Sequence, residues 1–294
     1  MRTVTIAGIP IGDGHPCRLV AEIGTNASGS AKVAKEMIRM AKEAGCDFVK
    51  FQARTPRLAV PEAEWNDLRD TPWGKMTKLE YREAAEFNED GYRHLFAHAR
   101  SIGIVPFASV WDIPALERME RVGSPCHKIP SARAHDEELL KAVAQTGKPV
   151  ILSTGMSDMN GVRWAVYTMW NIDLHDGLII LHCTSSYPAR ADESNLRVIQ
   201  EYRREFITCP IGFSSHKIGQ LTVLLAVAAG ANMIERHLTT DRGLKGSDHR
   251  LSTEPAELAR LVREVRQVEA ILGDGTKRIL ESELPEAKRL GRVL

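Results

Sequence analysis

Short apolar runs alternate with amphipathic stretches of helical length through most of the chain. Residues 18–24 (RLVAEIG) form a buried-strand pattern that closes on a carboxylate, and residues 31–44 repeat apolar positions at helical spacing up to Gly45. Residues 47–52 give the next strand, which carries Lys50. Helices follow over 90–101, 114–122, 136–146, 161–170 and 195–206. The intervening strands fall at 104–110, 126–131, 149–155 and 178–185. Strands at 210–216 and 232–237 flank an apolar helix over 218–230, and a long amphipathic helix over 255–272 follows the start signal Ser252-Thr253-Glu254. One segment breaks the rhythm. Residues 54–87 are polar, contain Trp and Pro, and exceed an ordinary connection, so a functional loop with some helix is expected there. A short strand at 4–6 leads the chain into a Gly/Pro turn region, and the tail 275–294 reads as a surface helix or partner contact.

Counted from Arg18, the pattern holds eight strand–helix pairs. The strands are continuous apolar runs, which implies burial on both faces and a parallel sheet. Eight such units in about 250 residues predict a TIM (β/α)8 barrel. A doubly wound open sheet is the main alternative. No linker divides the chain, so a single domain over 1–294 is expected, with a lead of 1–17 and the tail.

Composition narrows the class. Hydrophobic residues make up 43% of the chain and charged residues 26%, as in ordinary soluble domains. The net charge of +1 gives no reason to expect a nucleic-acid or membrane partner. Five scattered cysteines without a CxxC pair read as buried, reduced thiols. With no signal-like h-region at the N-terminus and no run long enough to span a bilayer, a cytoplasmic protein is expected.

The chemistry is predicted at the strand ends. Side chains two apart on a strand share a face, so Ser214 points with His216, and Glu235 with His237. Residues 210–237 form a βαβ unit, whose parallel strands bring those ends side by side. Two imidazoles there, beside a carboxylate and a hydroxyl, make a candidate divalent-metal site. Taken singly, each histidine would only cap its strand. The other strands end on Glu22, Lys50, Ser109, Lys128 with Ser131, Ser153, and Thr184 with Ser185. Such groups are costly to bury without partners or a ligand. Each lysine has a plain alternative in an ion pair with Glu22 or Glu235. Together, two lysines and several serines form a cradle for a phosphorylated anion beside a metal. Cys126–His127 and Cys183–His182 are adjacent strand residues facing opposite ways, so neither is a catalytic dyad.

The motifs AEIG (21–24), VKFQ (49–52), KIPS (128–131), KPVILSTGM (148–156), LHCT (181–184), GFSSH (212–216), IERH (234–237) and GSDH (246–249) resemble those of the sialic acid synthase (N-acetylneuraminate synthase) family, in order from about residue 18 to 275. The resemblance implies a barrel that condenses phosphoenolpyruvate with an aldehyde sugar to a nonulosonate-type 2-keto acid and phosphate. It implies that His216 and His237 hold a divalent metal, Mn2+ or Mg2+. Lys50, Lys128, Ser131, Ser153 and Ser214 would bind phosphoenolpyruvate, with the two lysines as catalytic electrostatic groups. Glu22, Tyr187 and Asp248 would face the sugar, and Glu235 would stand near the metal and its water; Glu22 or Glu235 would orient that water.

The resemblance also implies a homodimer. Family members usually carry a C-terminal antifreeze-like domain that lends a sugar-binding arginine across the dimer; with the chain ending at Leu294, its absence is expected here. Ser185 stands where the family has asparagine in the substrate site, Ser215 where it has aspartate, and Ala27 where it commonly has histidine. These departures fall on the sugar half, leaving the acceptor as an N-acetylmannosamine-like hexosamine or another aldose. Two other functions fit the same barrel: a metal-dependent pyruvate aldolase or lyase, and a degenerate sugar-binding barrel.

Overall fold

The computed structural model describes residues 2–172 and 174–291. An antiparallel hairpin, β1 (Thr3–Ile6) and β2 (Ile9–Gly12), precedes the first two barrel strands, β3 (Arg18–Glu22) and β4 (Phe48–Ala53). A second hairpin, β5 (Leu68–Thr71) and β6 (Gly74–Thr77), stands apart from them. Then come β7 (Val105–Val110), β8 (His127–Ile129) and β9 (Val150–Ser153). The last three are β10 (Leu178–Cys183), β11 (Ile211–Ser215) and β12 (Met233–His237). Strands β3, β4 and β7 to β12 are parallel and follow chain order around a closed barrel, with β12 pairing back onto β3. That pairing excludes the open sheet.

The helices form where the residue spacing requires them. Ala31–Ala44 buries Ala34, Met37, Ile38, Ala41 and Ala44, one stripe of a 3.6-residue repeat. Ser30 caps its start by accepting from the Val33 N–H, and Gly45, at φ 90°, ends it in a left-handed conformation. The closing helix Pro255–Leu272 starts from a reciprocal cap between Glu254 and Glu257 and buries Leu258, Leu261, Val262 and Val265. Full burial of each such side chain stabilises by about 1.5–3 kcal/mol. Among the described residues no helix is long and apolar enough to cross a membrane.

The barrel interior has two layers, and the boundary between them places the site. Val20, Phe48, Phe107, Cys126, Ile151, Ile179 and Met233 point inward at the lower level. The β1–β2 hairpin closes that end by adding Val4, Ile6 and Ile11 to the same cluster. One inward position further along six of these strands come Glu22, Lys50, Ser109, Lys128, Ser153 and Glu235, all buried, whereas on β10 that position is the apolar Leu181. An apolar floor therefore lies beneath a polar layer at the C-terminal mouth.

Two elements lie outside the periodicity. β2 occupies the Gly/Pro region read as a turn; it forms because pairing Val4 with Ile11 lets both side chains plug the barrel. The 54–87 excursion holds the helices Pro56–Ala59 and Lys78–Ala85 as well as the β5–β6 hairpin. Those hairpin strands, LRDT and GKMT, are mostly exposed and carry no apolar alternation. In the tail, residues Leu284–Arg289 form a short helix; positions 292–294 lie outside the described residues.

Candidate active site

At the mouth lies a cavity of about 470 Å³. Lys50, Lys128, Ser131, Ser153, Ser185, Tyr187, Ser214, His216, Glu235, His237 and Asp248 all line it. Of the residues singled out from the sequence, Glu22 and Thr184 are not among the lining; the Thr184 hydroxyl donates to the Glu193 carbonyl at 2.8 Å. Glu22 is wholly buried and sits directly behind the lining, against Lys50 and Gln52. Its Oε1 accepts from Gln52 Nε2 at 2.7 Å, while Oε2 lies 2.7 Å from Lys50 Nζ in an ion pair without a hydrogen bond among the described residues.

A four-charge network forms the floor of the site. Glu235 Oε1 receives Ser214 Oγ at 3.0 Å, Lys50 Nζ at 3.2 Å and Lys128 Nζ at 3.4 Å. The parallel register makes this possible, since Ser214 pairs with Glu235 and Glu22 with Lys50. Lys50 thus has two carboxylate partners and still lines the cavity. Burial alone would lower the Lys50 ammonium, but Glu22 and Glu235 raise it above its ordinary value. Burial would likewise raise the Glu235 carboxyl, yet Lys128 and Lys50 hold it well below the usual range. Lys128 differs. It has only a share of Glu235, and burial together with repulsion from Lys50 pushes it below an ordinary lysine.

Among the described residues, several hydrogen-bonding groups of the cavity have no partner. Ser153 Oγ and Ser185 Oγ are buried and unpaired, as is the second oxygen of Glu235. The Gly155 N–H donates to Ser131 Oγ at 3.0 Å and approaches Cys183 Sγ at 3.2 Å. A side chain at position 155 would fill this hollow, because its Cβ would lie 2.2 Å from Ser185 Oγ. Cys183 faces the cavity while His182 turns outward to the Ser194 carbonyl and Tyr202, so they form no dyad. All five cysteines are free and buried.

The two histidines stand together above this hollow, with ring centroids 5.4 Å apart. His216 Nδ1 donates to the Thr184 carbonyl at 2.8 Å, leaving Nε2 with the lone pair. Burial and the neighbouring His237 push His216 down to about 3, so it is a neutral imidazole. His237 Nδ1 is buried without a hydrogen bond, 3.7 Å from Asp248 Oδ2. Tyr187 packs on His216 with centroids 4.2 Å apart. Among the described residues no three His, Cys, Asp or Glu groups converge as metal ligands. A lone-pair imidazole beside an orphaned one fits a cation that draws its other ligands from water and substrate oxygens.

The cavity wall also includes Gln52, Arg54, Arg82, Trp111 and Ser247, which the strand-end reading does not single out. Gln52 and Arg54 continue the inward alternation begun by Phe48 and Lys50, a signal present in the sequence. Arg82 comes from the excursion, whose fold the pattern does not reveal.

Residues 37–277 match the NeuB family. The chain belongs to the NeuB family. It is 41% identical to human N-acetylneuraminate-9-phosphate synthase, over 96% of this chain and 78% of that protein. It is 36% identical to the N,N'-diacetyllegionaminic acid synthase of Legionella pneumophila, over 94% of this chain and 79% of that one. Among solved structures, the N-acetylneuraminic acid (sialic acid) synthetase of Leptospira borgpetersenii superposes with a TM-score of 0.89 at 33% identity, covering 98% of this chain and 96% of that one. This NeuB-family protein is thus a condensing enzyme of the sialic acid synthase kind, as its motifs imply.

Proposed function

We propose that this NeuB-family enzyme condenses phosphoenolpyruvate with the open-chain aldehyde of a hexosamine or another aldose. The products are a nonulosonate-type 2-keto acid and inorganic phosphate. The observation carrying this reading is Lys128, a buried ammonium with only a shared carboxylate, lining the same cavity as the unpartnered hydroxyls of Ser153 and Ser185. Such a hollow is complete only with an anion that accepts several hydrogen bonds.

In the reaction, the π electrons of phosphoenolpyruvate form the new bond from C3 to the aldehyde carbon, whose oxygen takes up a proton. Water adds at C2, and the C–O bond to phosphate breaks. Lys128, Lys50, Ser131, Ser153, Ser185 and Ser214 hold the carboxylate and phosphate in place and need no reorganisation as charge shifts. Glu235, kept ionised by both lysines, orients the water through its unpartnered oxygen. Glu22 acts one step back by fixing Lys50 and Gln52. Tyr187 and Asp248 bound the acceptor side. His216 and His237 would hold Mn2+ or Mg2+, a Lewis acid that polarises the aldehyde when bound.

Phosphate release from phosphoenolpyruvate, followed with Mn2+ across a panel of amino sugars and plain aldoses, tests the proposal. Pyruvate formation without phosphate would instead favour an aldolase or lyase, and no turnover with any acceptor would favour a sugar-binding barrel. The homodimer of sialic acid synthases belongs to the same reading, and light scattering on the purified protein tests it.

A further inference from the structure

Behind the cavity wall, β12 carries a buried cation that lines no part of the cavity. Glu235 and His237 point into the barrel, so Arg236 between them points outward, into the layer between strands and helices. That layer is apolar: Ile234 holds the preceding outward position on β12, and Arg236 pairs in register with Ala21 on β3. Arg236 is only 3% exposed there, and among the described residues no carboxylate pairs with it. Glu257, the carboxylate that bears on it most, is held by Arg242 at 2.7 Å. A guanidinium is costly in such a layer unless its donors are satisfied, so its hydrogen bonds show what the position serves.

All its partners are neutral, and they surround the two histidines. Nη1 donates to the Lys217 carbonyl and is shared between the carbonyl and Oγ of Ser215, both at 3.2 Å. It therefore grips the chain on both sides of His216. The carbonyl of His216 itself accepts from the Ala189 N–H at 3.2 Å. Three successive carbonyls at the end of β11 are thus pinned, and the ring they carry keeps its Nδ1 bond to Thr184. On the other arm, Nε donates to Thr253 Oγ1 at 2.8 Å, and the Thr253 N–H holds the His237 carbonyl at 2.8 Å. One planar group ties together the backbones that carry both imidazoles, a task that suits a rigid fork of donors better than a point charge. We propose that Arg236 is a positioning residue that sets the separation and aim of the His216 and His237 rings, and so preforms the cation site. The proposal rests on the condensation reading for the cation, but not for the ring geometry.

The experiment titrates Mn2+ into wild type, Arg236→Met, Arg236→Lys and Thr253→Val by calorimetry, with Co2+ absorption spectra and urea denaturation alongside. Losing a group that orients metal ligands typically weakens binding roughly 10- to 100-fold, and Arg236→Met is expected to do so and to shift the Co2+ spectrum. Phosphoenolpyruvate affinity measured without metal should stay unchanged. Arg236→Lys, which can still bond the β11 carbonyls, should recover part of the Mn2+ affinity. A folded Arg236→Met protein with wild-type Mn2+ affinity and Co2+ spectrum, or one that loses phosphoenolpyruvate and Mn2+ affinity equally, would overturn the assignment. Should Arg236→Met fail to fold, Thr253→Val removes only the acceptor of Nε. It should weaken Mn2+ by a smaller factor, and unchanged affinity would overturn the link to His237. If wild type binds neither cation, the metal part of the condensation reading fails, and histidine NMR of the metal-free protein still decides the geometry. Loss of the Nδ1–H tautomer of His216 in Arg236→Met supports the positioning role; an unchanged tautomer refutes it.

Discussion

Glu22 and Lys50 give the strongest quantitative test of the site's architecture. Their charged atoms are 2.7 Å apart, and both side chains are almost wholly buried. At an effective dielectric near 20, that separation corresponds to about 6 kcal/mol of gross attraction. Removing one partner strands the other charge, for which the usual cost is about 3–5 kcal/mol. Glu22→Gln leaves Lys50 with Glu235 alone at 3.2 Å, already shared with Lys128, so the effect should fall at the low end of that range. Lys50→Met leaves Glu22 with only the Gln52 amide and should reach the upper end. The Glu22→Gln/Lys50→Met double variant strands neither charge and should recover much of the loss, although it would not turn over phosphoenolpyruvate. Urea denaturation of all four proteins gives the coupling energy directly. At roughly 2–4 °C per kcal/mol for a chain of this size, the single variants should also melt visibly lower. Additive losses in the double variant, or a Glu22→Gln protein as stable as wild type, would show that the network is not energetically coupled.

Gly155→Ala should abolish tight phosphoenolpyruvate binding, measured by calorimetry, because its Cβ lands 2.2 Å from Ser185 Oγ; the fold should lose no more than about 1–3 kcal/mol to overpacking. His216→Gln and His237→Gln should each remove stoichiometric Mn2+ binding in calorimetric titration without apolar-core loss; retained binding in both would place the cation elsewhere. Glu86, which accepts from the Arg54 backbone N–H behind the cavity wall, predicts a pH effect. Burial pushes its carboxyl up to about 7, so the folded state keeps this proton after the unfolded chain has lost it. Stability contributed by the protonated form is present below the unfolded pKa and is lost as pH rises toward 7. Glu86→Gln should therefore gain on wild type between pH 5 and pH 8, by roughly 3 kcal/mol at most; an unchanged difference across that range would refute the shift.

The alternation made the barrel legible because each parallel strand is sandwiched between helices and the interior, so burial on both faces is written as an unbroken apolar run. Helix Ala31–Ala44 matches its expected limits because Ser30 and Gly45 fix both ends by local chemistry. Boundaries without such caps moved by one to three residues, as in Leu221–Ala228, which begins three residues later than its pattern with no side-chain cap at Gln220; Met159–Trp170 begins earlier than its pattern because Asp158 caps it further upstream. The β1–β2 plug stayed hidden for another reason: Ile9-Pro10-Ile11-Gly12 is strand only because the barrel floor buries it. Sequence therefore showed what local physics decides and missed what tertiary burial decides.

The same division explains the site. Lys50, Lys128, Glu235, Ser214 and the two histidines were visible because strand ends in a closed barrel must converge, and a period of two says which side chains point inward. Applied one step further, that rule also places Gln52 and Arg54, whose inward direction follows from Lys50 alone. Glu22 obeys the rule as well, and Gln52 on one oxygen and the Lys50 charge beside the other let it shape the site from behind the lining. Arg82 obeys no such rule, since it rides on the excursion between β4 and β7. The charge at the base of the cavity is thus set by barrel geometry, whereas the charge at its rim comes from connecting segments, Arg82 from the excursion and Asp248 from the stretch after β12. A change of acceptor within this architecture would then be recorded in those segments, leaving Lys50 and Lys128 untouched.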